Sequence, residues 1–248
     1  MDKILKELKG HSGSVVLLMQ DDTRRFVRKQ YNVERNYERL DALKGFLPVP
    51  EIYAYDGYTL DMEYIHGLDM RNYLLHNDPS MLIDFLVESF ETCMQHYKLK
   101  NYTETYNQML QFLDNETIFP FTKQQLIAKL PKKLPSSPYH GDMTLENIIY
   151  SSSGFFSFID PVTVKYDSYV FDVAKLRQDL DCKWFLRNGD LNLDPKLIKI
   201  KEEVLKYVPE AINDNLLILM LLRVYLHCDI DTVEYNLIVR EVNRLWKS

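Results

Sequence analysis

Cysteine is scarce. The chain has three, Cys93, Cys182 and Cys228, in 248 residues, and none forms a CxxC pair. This argues against a disulfide framework or a thiolate zinc site and fits buried thiols in a reducing compartment. Positive charge is not in excess either. Lys and Arg number 30 against 36 Asp and Glu, a formal net charge of −6, so the basic footprint of a nucleic-acid binder is missing. Long apolar runs are also missing. The longest, 216–222, spans seven residues, whereas a membrane span needs roughly 18; it reads as a core helix. Residues 1–10 alternate charged residues with Leu and Ile and lack the apolar stretch of a signal peptide. No repeat or low-complexity tract is visible. The expectation is a cytoplasmic protein without nucleic-acid or membrane partners. What is present suffices for a core: 46% of residues are hydrophobic and 27% charged, an ordinary globular balance. The length suits one large domain or two lobes.

Strand signals crowd the first third. Residues 14–19 are an apolar run of strand length, Asp21-Asp22 marks a turn, and 25–29 resumes in extended style. A Gly/Ser loop, Gly10-His11-Ser12-Gly13, precedes them. In 33–45, Tyr37, Leu40 and Leu43 recur at helical spacing and Gly45 follows, a helix with its stop. Leu47-Pro48-Val49-Pro50 cannot continue it. Segments 52–55 and 58–65 flank Asp56-Gly57, a hairpin dipeptide. Beyond Gly67 the pattern turns helical, at 81–97, 122–130, 195–207, 214–227 and 233–246. One β island interrupts it: 147–150, a turn through Ser151 to Gly154, and 155–159. The fold class predicted is α+β, with a small β-rich N-lobe, 1–64, and a larger, mainly helical C-lobe, 65–248.

The chemistry concentrates in Tyr139-His140-Gly141-Asp142, Asn147 and Ile159-Asp160. Phosphoryl transfer asks a protein mainly for positioning and charge compensation: one carboxylate beside the attacking hydroxyl, and oxygen ligands for magnesium on the nucleotide phosphates. Asp142 and Asn147 stand five apart, the D-x-x-x-x-N spacing of a kinase catalytic loop. Asp160 ends an apolar β-like segment. Carboxylate and amide oxygens suit magnesium. The competing reading is a turn using Asp and Asn for ordinary turn chemistry.

These motifs resemble the aminoglycoside phosphotransferase and choline kinase family. The H-G-D-x-x-x-x-N block and the Ile159-Asp160 pair match its signature. Leu47-Pro48-Val49-Pro50 looks like the segment after its first helix. The stretch from Leu60 to Gly67, with Glu63, Tyr64 and Ile65, resembles the hinge whose backbone binds adenine. Phe171-Asp172-Val173-Ala174 resembles a helix start downstream. The resemblance implies a protein-kinase-like two-lobed fold, with ATP and Mg2+ as cofactors. By that resemblance Asp142 is the catalytic base, Asn147 and Asp160 hold the metal, and Asp172 braces the loop. His140, taken alone, could be a base; the family pattern makes it a loop brace.

For the nucleotide, Gly13 and Ser14 offer backbone N–H groups with room for close approach. Lys29 matches the cation that ends the family's third strand. Arg28 would face the other way, a register slip would exchange the two, and a solvated cluster of Arg24, Arg25, Arg28 and Lys29 is the bland alternative. The family's Glu partner for that cation is not in place. Asn36 stands where it is expected, and Glu38 is the substitute that also fits the spacing. For the acceptor, Asp179, Asp181 and Trp184 could hold a cationic amine, while interleaved Lys183 and Arg187 could hold an acid. A solvated helix face with core aromatics would look the same. The function predicted is ATP-dependent transfer to a hydroxyl of a small molecule, an amino alcohol, sugar or related compound. The alternatives are a protein-kinase-like enzyme acting on a polypeptide, disfavoured by the short gap between Pro161 and Asp172, and a non-catalytic nucleotide-binding module.

Overall fold

The structure is a computed structural model and describes residues 2–8, 14–189 and 191–247. The chain divides into two compact units, Met1–Tyr73 with Glu146–Thr163, and Leu74–Leu145 with Val164–Ser248.

The first unit is built on an antiparallel sheet of five strands, ordered β1-β2-β3-β5-β4. These are β1 (Lys3–Leu8), β2 (Val15–Gln20), β3 (Arg25–Gln30), β4 (Ile52–Tyr55) and β5 (Thr59–Glu63). Helix α1 (Glu34–Leu43) supplies Leu40, which joins Val33, Leu60 and Met62 in a core flanked by Val27, Tyr37 and Ile52. The hairpin between β4 and β5 turns at Asp56, whose carboxylate accepts from the amides of Tyr58 and Thr59. On β3 the pleat separates neighbours. Lys29 is buried, whereas Arg28 forms a two-pronged pair with Asp61 at 2.7 Å on each prong.

A smaller sheet, ordered β10-β9-β6, uses β6 (Gly67–Asp69), β9 (Ile148–Ser151) and β10 (Phe156–Phe158). Gly67 has no alternative here: a Cβ on it would lie 2.0 Å from the Tyr150 carbonyl oxygen. The Pro48 carbonyl accepts from the Phe158 amide at 2.8 Å and the Ser157 hydroxyl at 3.1 Å. The proline segment that ends the α1 region therefore anchors this hairpin.

The second unit is mainly helical: α3 (Ser80–Met94), α4 (Thr103–Met109), α5 (Lys123–Lys129), α6 (Tyr169–Cys182), α7 (Asp194–Tyr207), α8 (Asp214–Tyr225) and α9 (Val233–Lys247). The unit division falls inside α2 (Met70–His76). A two-stranded ribbon pairs β7 (Lys98–Asn101) with β8 (Lys133–Ser136). Thr122 and Gln125 close a reciprocal capping box on α5. The apolar run 216–222 is the buried body of α8, as its composition predicts. The central element is α6, which packs on α3, α7 and α8 and buries thirteen of its fourteen residues, charged ones included.

Helices predicted at 81–97, 195–207, 214–227 and 233–246 form with their ends shifted by a few residues, a normal fraying margin. Strand β1 is not read from the sequence; it is an edge strand with almost every side chain exposed, so no buried face marks it. β7 is likewise exposed throughout, and β8 and α4 are too short to show a period. Among the described residues no helix is long and apolar enough to cross a membrane. Burial pushes the thiols of Cys93 and Cys182 up to about 12, consistent with inert core cysteines.

Candidate active site

The loop carrying Asp142 is held almost wholly by side chains of the second unit. Its backbone turns at Gly141, with φ of 87°, a left-handed angle that glycine adopts freely. The Asp172 carboxylate, in the first turn of α6, accepts from the His140 amide at 2.5 Å and the Gly141 amide at 2.8 Å. His140 is fully buried, and its Nδ1 accepts from the Asp142 amide at 3.3 Å. Two helical turns further along α6, Asp179 accepts from the Leu145 amide at 2.6 Å. From α8, Arg223 donates to the Gly141 carbonyl at 2.8 Å.

Between Asp172 and Asp179 on α6 lies Lys175. The three positions follow i, i+3, i+7, one face of a helix. Lys175 Nζ is 3.4 Å from the Asp142 carboxylate, and Arg223 lies 3.5 Å from the same oxygen. Burial alone would push the Asp142 carboxyl up; Lys175, Arg223 and His140 outweigh it and hold it below the ordinary carboxylate value. Burial likewise dominates at Lys175 and lowers its ammonium, against the pull of Asp142 and Asp179.

The other two polar positions of the motif belong to the first unit. The Ile159 amide donates to the Asn147 carbonyl at 2.9 Å, one step beyond the last β9–β10 pair, Ile148 with Phe158. Asn147 and Asp160 therefore flank the open end of one hairpin. Asp160 adopts φ of 55°. Its Oδ1 accepts from Lys29 Nζ at 2.6 Å and from Asn36 Nδ2 at 2.9 Å. Asn36 also donates to the Pro161 carbonyl at 2.8 Å, and Arg35 donates to the Thr163 carbonyl. The N-terminal turn of α1 thus grips the chain just after Asp160.

The other expected nucleotide residues lie in the same unit. Asn36, where the family's Glu was expected, is buried and donates to Asp160, whereas Glu38 is exposed and makes no ion pair among the described residues. Lys29 finds its anion in Asp160. Ser14 is buried with its hydroxyl on the Tyr31 carbonyl. Gly13 lies outside the described residues. Glu63 ends β5 and exchanges hydrogen bonds with Glu51; Tyr64 and buried Ile65 follow it.

The residues considered for an acceptor are committed within the second unit. Asp179 is fully buried and serves the loop. Asp181 pairs with Arg177 at 2.7 Å and Lys201 at 2.8 Å. Trp184 is buried with the Arg187 guanidinium 4.4 Å over its ring. The solvated helix face considered for this stretch is not what forms. Lys175, Arg223 and Asn36 were not singled out as site residues from sequence. A signal existed for Lys175, since charges at 172, 175 and 179 fall on one face of the helix.

The donor set at Asp160 and Asn147 suits a hard cation. Asp160 Oδ1 carries both protein donors, its side chain is half exposed, and the second oxygen accepts no hydrogen bond among the described residues. Among those residues no group of three or more His, Cys, Asp or Glu could hold a metal unaided.

Comparison with known proteins places these features. A model of the phosphotransferase enzyme family (APH) matches residues 5–194. No curated protein sequence matches the chain. Among solved structures, an ethanolamine kinase from Plasmodium vivax shares 13% identity, covering 98% of this chain and 81% of that one, with a TM-score of 0.60. Choline kinase LicA from Streptococcus pneumoniae shares 14%, over 99% and 95%, with a TM-score of 0.57. A thermostable mutant of aminoglycoside phosphotransferase APH(4)-Ia, in a ternary complex with AMP-PNP and hygromycin B, shares 12%, over 100% and 94%, with a TM-score of 0.64. At these identities the likeness is one of fold: α+β and protein-kinase-like, a small antiparallel β region followed by a helical remainder.

Proposed function

Since the chain belongs to the phosphotransferase enzyme family, we propose that it transfers the γ-phosphoryl group of ATP to a hydroxyl of a small molecule, with Asp142 as base. The observation that carries this reading is the Asp142 loop. Four of its amides, at 140, 141, 142 and 145, are claimed by side chains, and the carboxylate is kept ionised beside two cations. A base fixed in this way is preorganised for one direction of proton transfer. In the reaction the acceptor oxygen forms a bond to the γ-phosphorus, its proton passes to Asp142, and the bond from that phosphorus to the β-phosphate bridging oxygen breaks, releasing ADP.

Asn147 and Asp160 are the residues that would hold magnesium, which when bound neutralises charge on the phosphates. Lys29 is the candidate phosphate cation, and Ser14 and Gly13 with the backbone of Glu63, Tyr64 and Ile65 the candidate nucleotide contacts. His140, Asp172 and Asp179 brace the loop. The acceptor class, an amino alcohol, sugar or related compound, takes support from the ethanolamine, choline and hygromycin proteins that share the fold.

Asp142→Ala should abolish ADP release in a screen of amines, sugars and polyols, by about 10³-fold or more, while Mg-ATP still raises the melting temperature. Unchanged turnover would refute the base assignment. The replacement of the expected Glu by Asn36 favours a second reading, a nucleotide-binding module without transfer. Stabilisation by Mg-ATP with no turnover on any acceptor would decide for it.

A further inference from the structure

Lys175 has so far entered only as a charge beside Asp142, yet it is one of the most deeply buried charges among the described residues, 5% exposed. Its neighbours on α6, Ala174 and Leu176, are fully buried and apolar. A buried ammonium is costly, and an apolar side chain of similar volume generally serves stability as well or better. Its retention points to a task that needs charge. The ammonium is directed rather than merely accommodated. Nζ donates to Gln178 Oε1 at 3.0 Å, which tethers it, and lies 3.4 Å from Asp142 Oδ1.

The charged groups that face Asp142 come from three elements: Lys175 on α6, Arg223 on α8 and His140 on the loop itself. Lys175 in turn faces Arg223 and Asp179, and acts on the Cys228 thiol beyond. Arg223 already donates to the Gly141 carbonyl, so it is tied to the loop backbone. That leaves Lys175 as the cation whose fixed partner is the Asp142 carboxylate itself.

We propose that Lys175 is a positioning residue for phosphoryl transfer, its tethered ammonium fixing the direction of the Asp142 carboxylate. The proposal rests on Asp142 being the base. A lysine suits the role because it is a compact point charge on a thin stem that fits between packed helices.

The test uses the full chain and the variants Lys175→Met, Lys175→Arg and Gln178→Leu. Two readouts are taken: the 13Cγ titration of Asp142 by NMR, and Mg-ATP turnover with water or an active acceptor. For Lys175→Met, the Asp142 midpoint should move up, kcat should fall about 10-fold or more, and KM for ATP should stay within about twofold. Lys175→Arg should recover part of both, and Gln178→Leu should lower kcat several-fold with the charge kept. A Lys175→Met protein that melts like the parent, with the Asp142 midpoint and kcat unmoved, overturns the proposal. So does a loss of kcat that follows the loss of folded protein and that arginine does not repair. Should Lys175→Met not fold, the other two variants decide: a several-fold lower kcat in Gln178→Leu with a near-parental Asp142 midpoint in Lys175→Arg supports the proposal, and a parental kcat in Gln178→Leu overturns it. The titration is independent of turnover, so an inactive parent refutes the base assignment without touching the Lys175–Asp142 coupling.

Discussion

Asn36 changes the arrangement around Lys29. A carboxylate there would compete for the ammonium; the amide instead donates to the same Asp160 oxygen and to the Pro161 carbonyl. Asn36→Asp keeps the shape, removes both donors and sets a second anion against Asp160. Urea unfolding should show a loss of about 1–3 kcal/mol. Arg28 is the contrast on the opposite face of β3. Arg28→Ala should cost about 1 kcal/mol or less, because the pair with Asp61 is partly exposed, and turnover should be unchanged. At Asp142 the direction of the shift fixes the acid limb. A carboxyl held below its ordinary value stays charged to lower pH. Its contribution to stability is therefore complete above the unfolded value, 3.8, and is lost only as pH falls through the lower folded value. The acid limb of the pH–kcat profile assigned to Asp142 should lie below the ordinary carboxylate range, and a limb above that range would contradict it.

Elements with an imposed period were legible in the sequence, and those without one were not. The hairpin is read from its Asp56-Gly57 turn, α1 from the spacing of Tyr37, Leu40 and Leu43, and α8 from the unbroken apolar run 216–222, buried along its whole length. The loop motif was legible through the residue types at Asp142, Asn147 and Asp160. What the sequence hid is the burial of α6, of which only the start at Phe171-Asp172 was legible. A helix buried on all sides shows no amphipathic period, and its charges looked like a solvated face. In the structure they are the opposite, buried charges whose partners lie in the Asp142 loop and on α8. Asp179, which could have contacted a cationic acceptor or lain on a solvated face, is the partner of a backbone amide 34 positions away, a pairing that no local pattern encodes. Two predictions belong at this scale. Gly67→Ala must push β6 off β9 and should cost about 2 kcal/mol or more in thermal unfolding. Thr122→Ala removes one arm of the α5 capping box and should cost about 1 kcal/mol.

For the molecule as a whole, nucleotide binding is the most accessible observable. A ligand at a hundredfold excess over its Kd adds about 2.7 kcal/mol of stability, which for a chain of this size raises Tm by roughly 5–10 °C. Mg-ATP should do this for the parent and for Asp142→Ala, and Lys29→Ala should lose most of it; scanning fluorimetry distinguishes the three. The stripe of Asp172, Lys175 and Asp179 on α6 carries one more consequence. Loops usually exchange their amide protons with solvent in seconds, because nothing but water competes for them. Here the protons at 140, 141 and 145 are captured by carboxylates rooted in the most buried helix of the fold, and they can be freed only when that helix comes apart. Placed in deuterated buffer, this loop should keep those protons about as long as the α6 backbone does, ageing with the core while surface loops around it turn over.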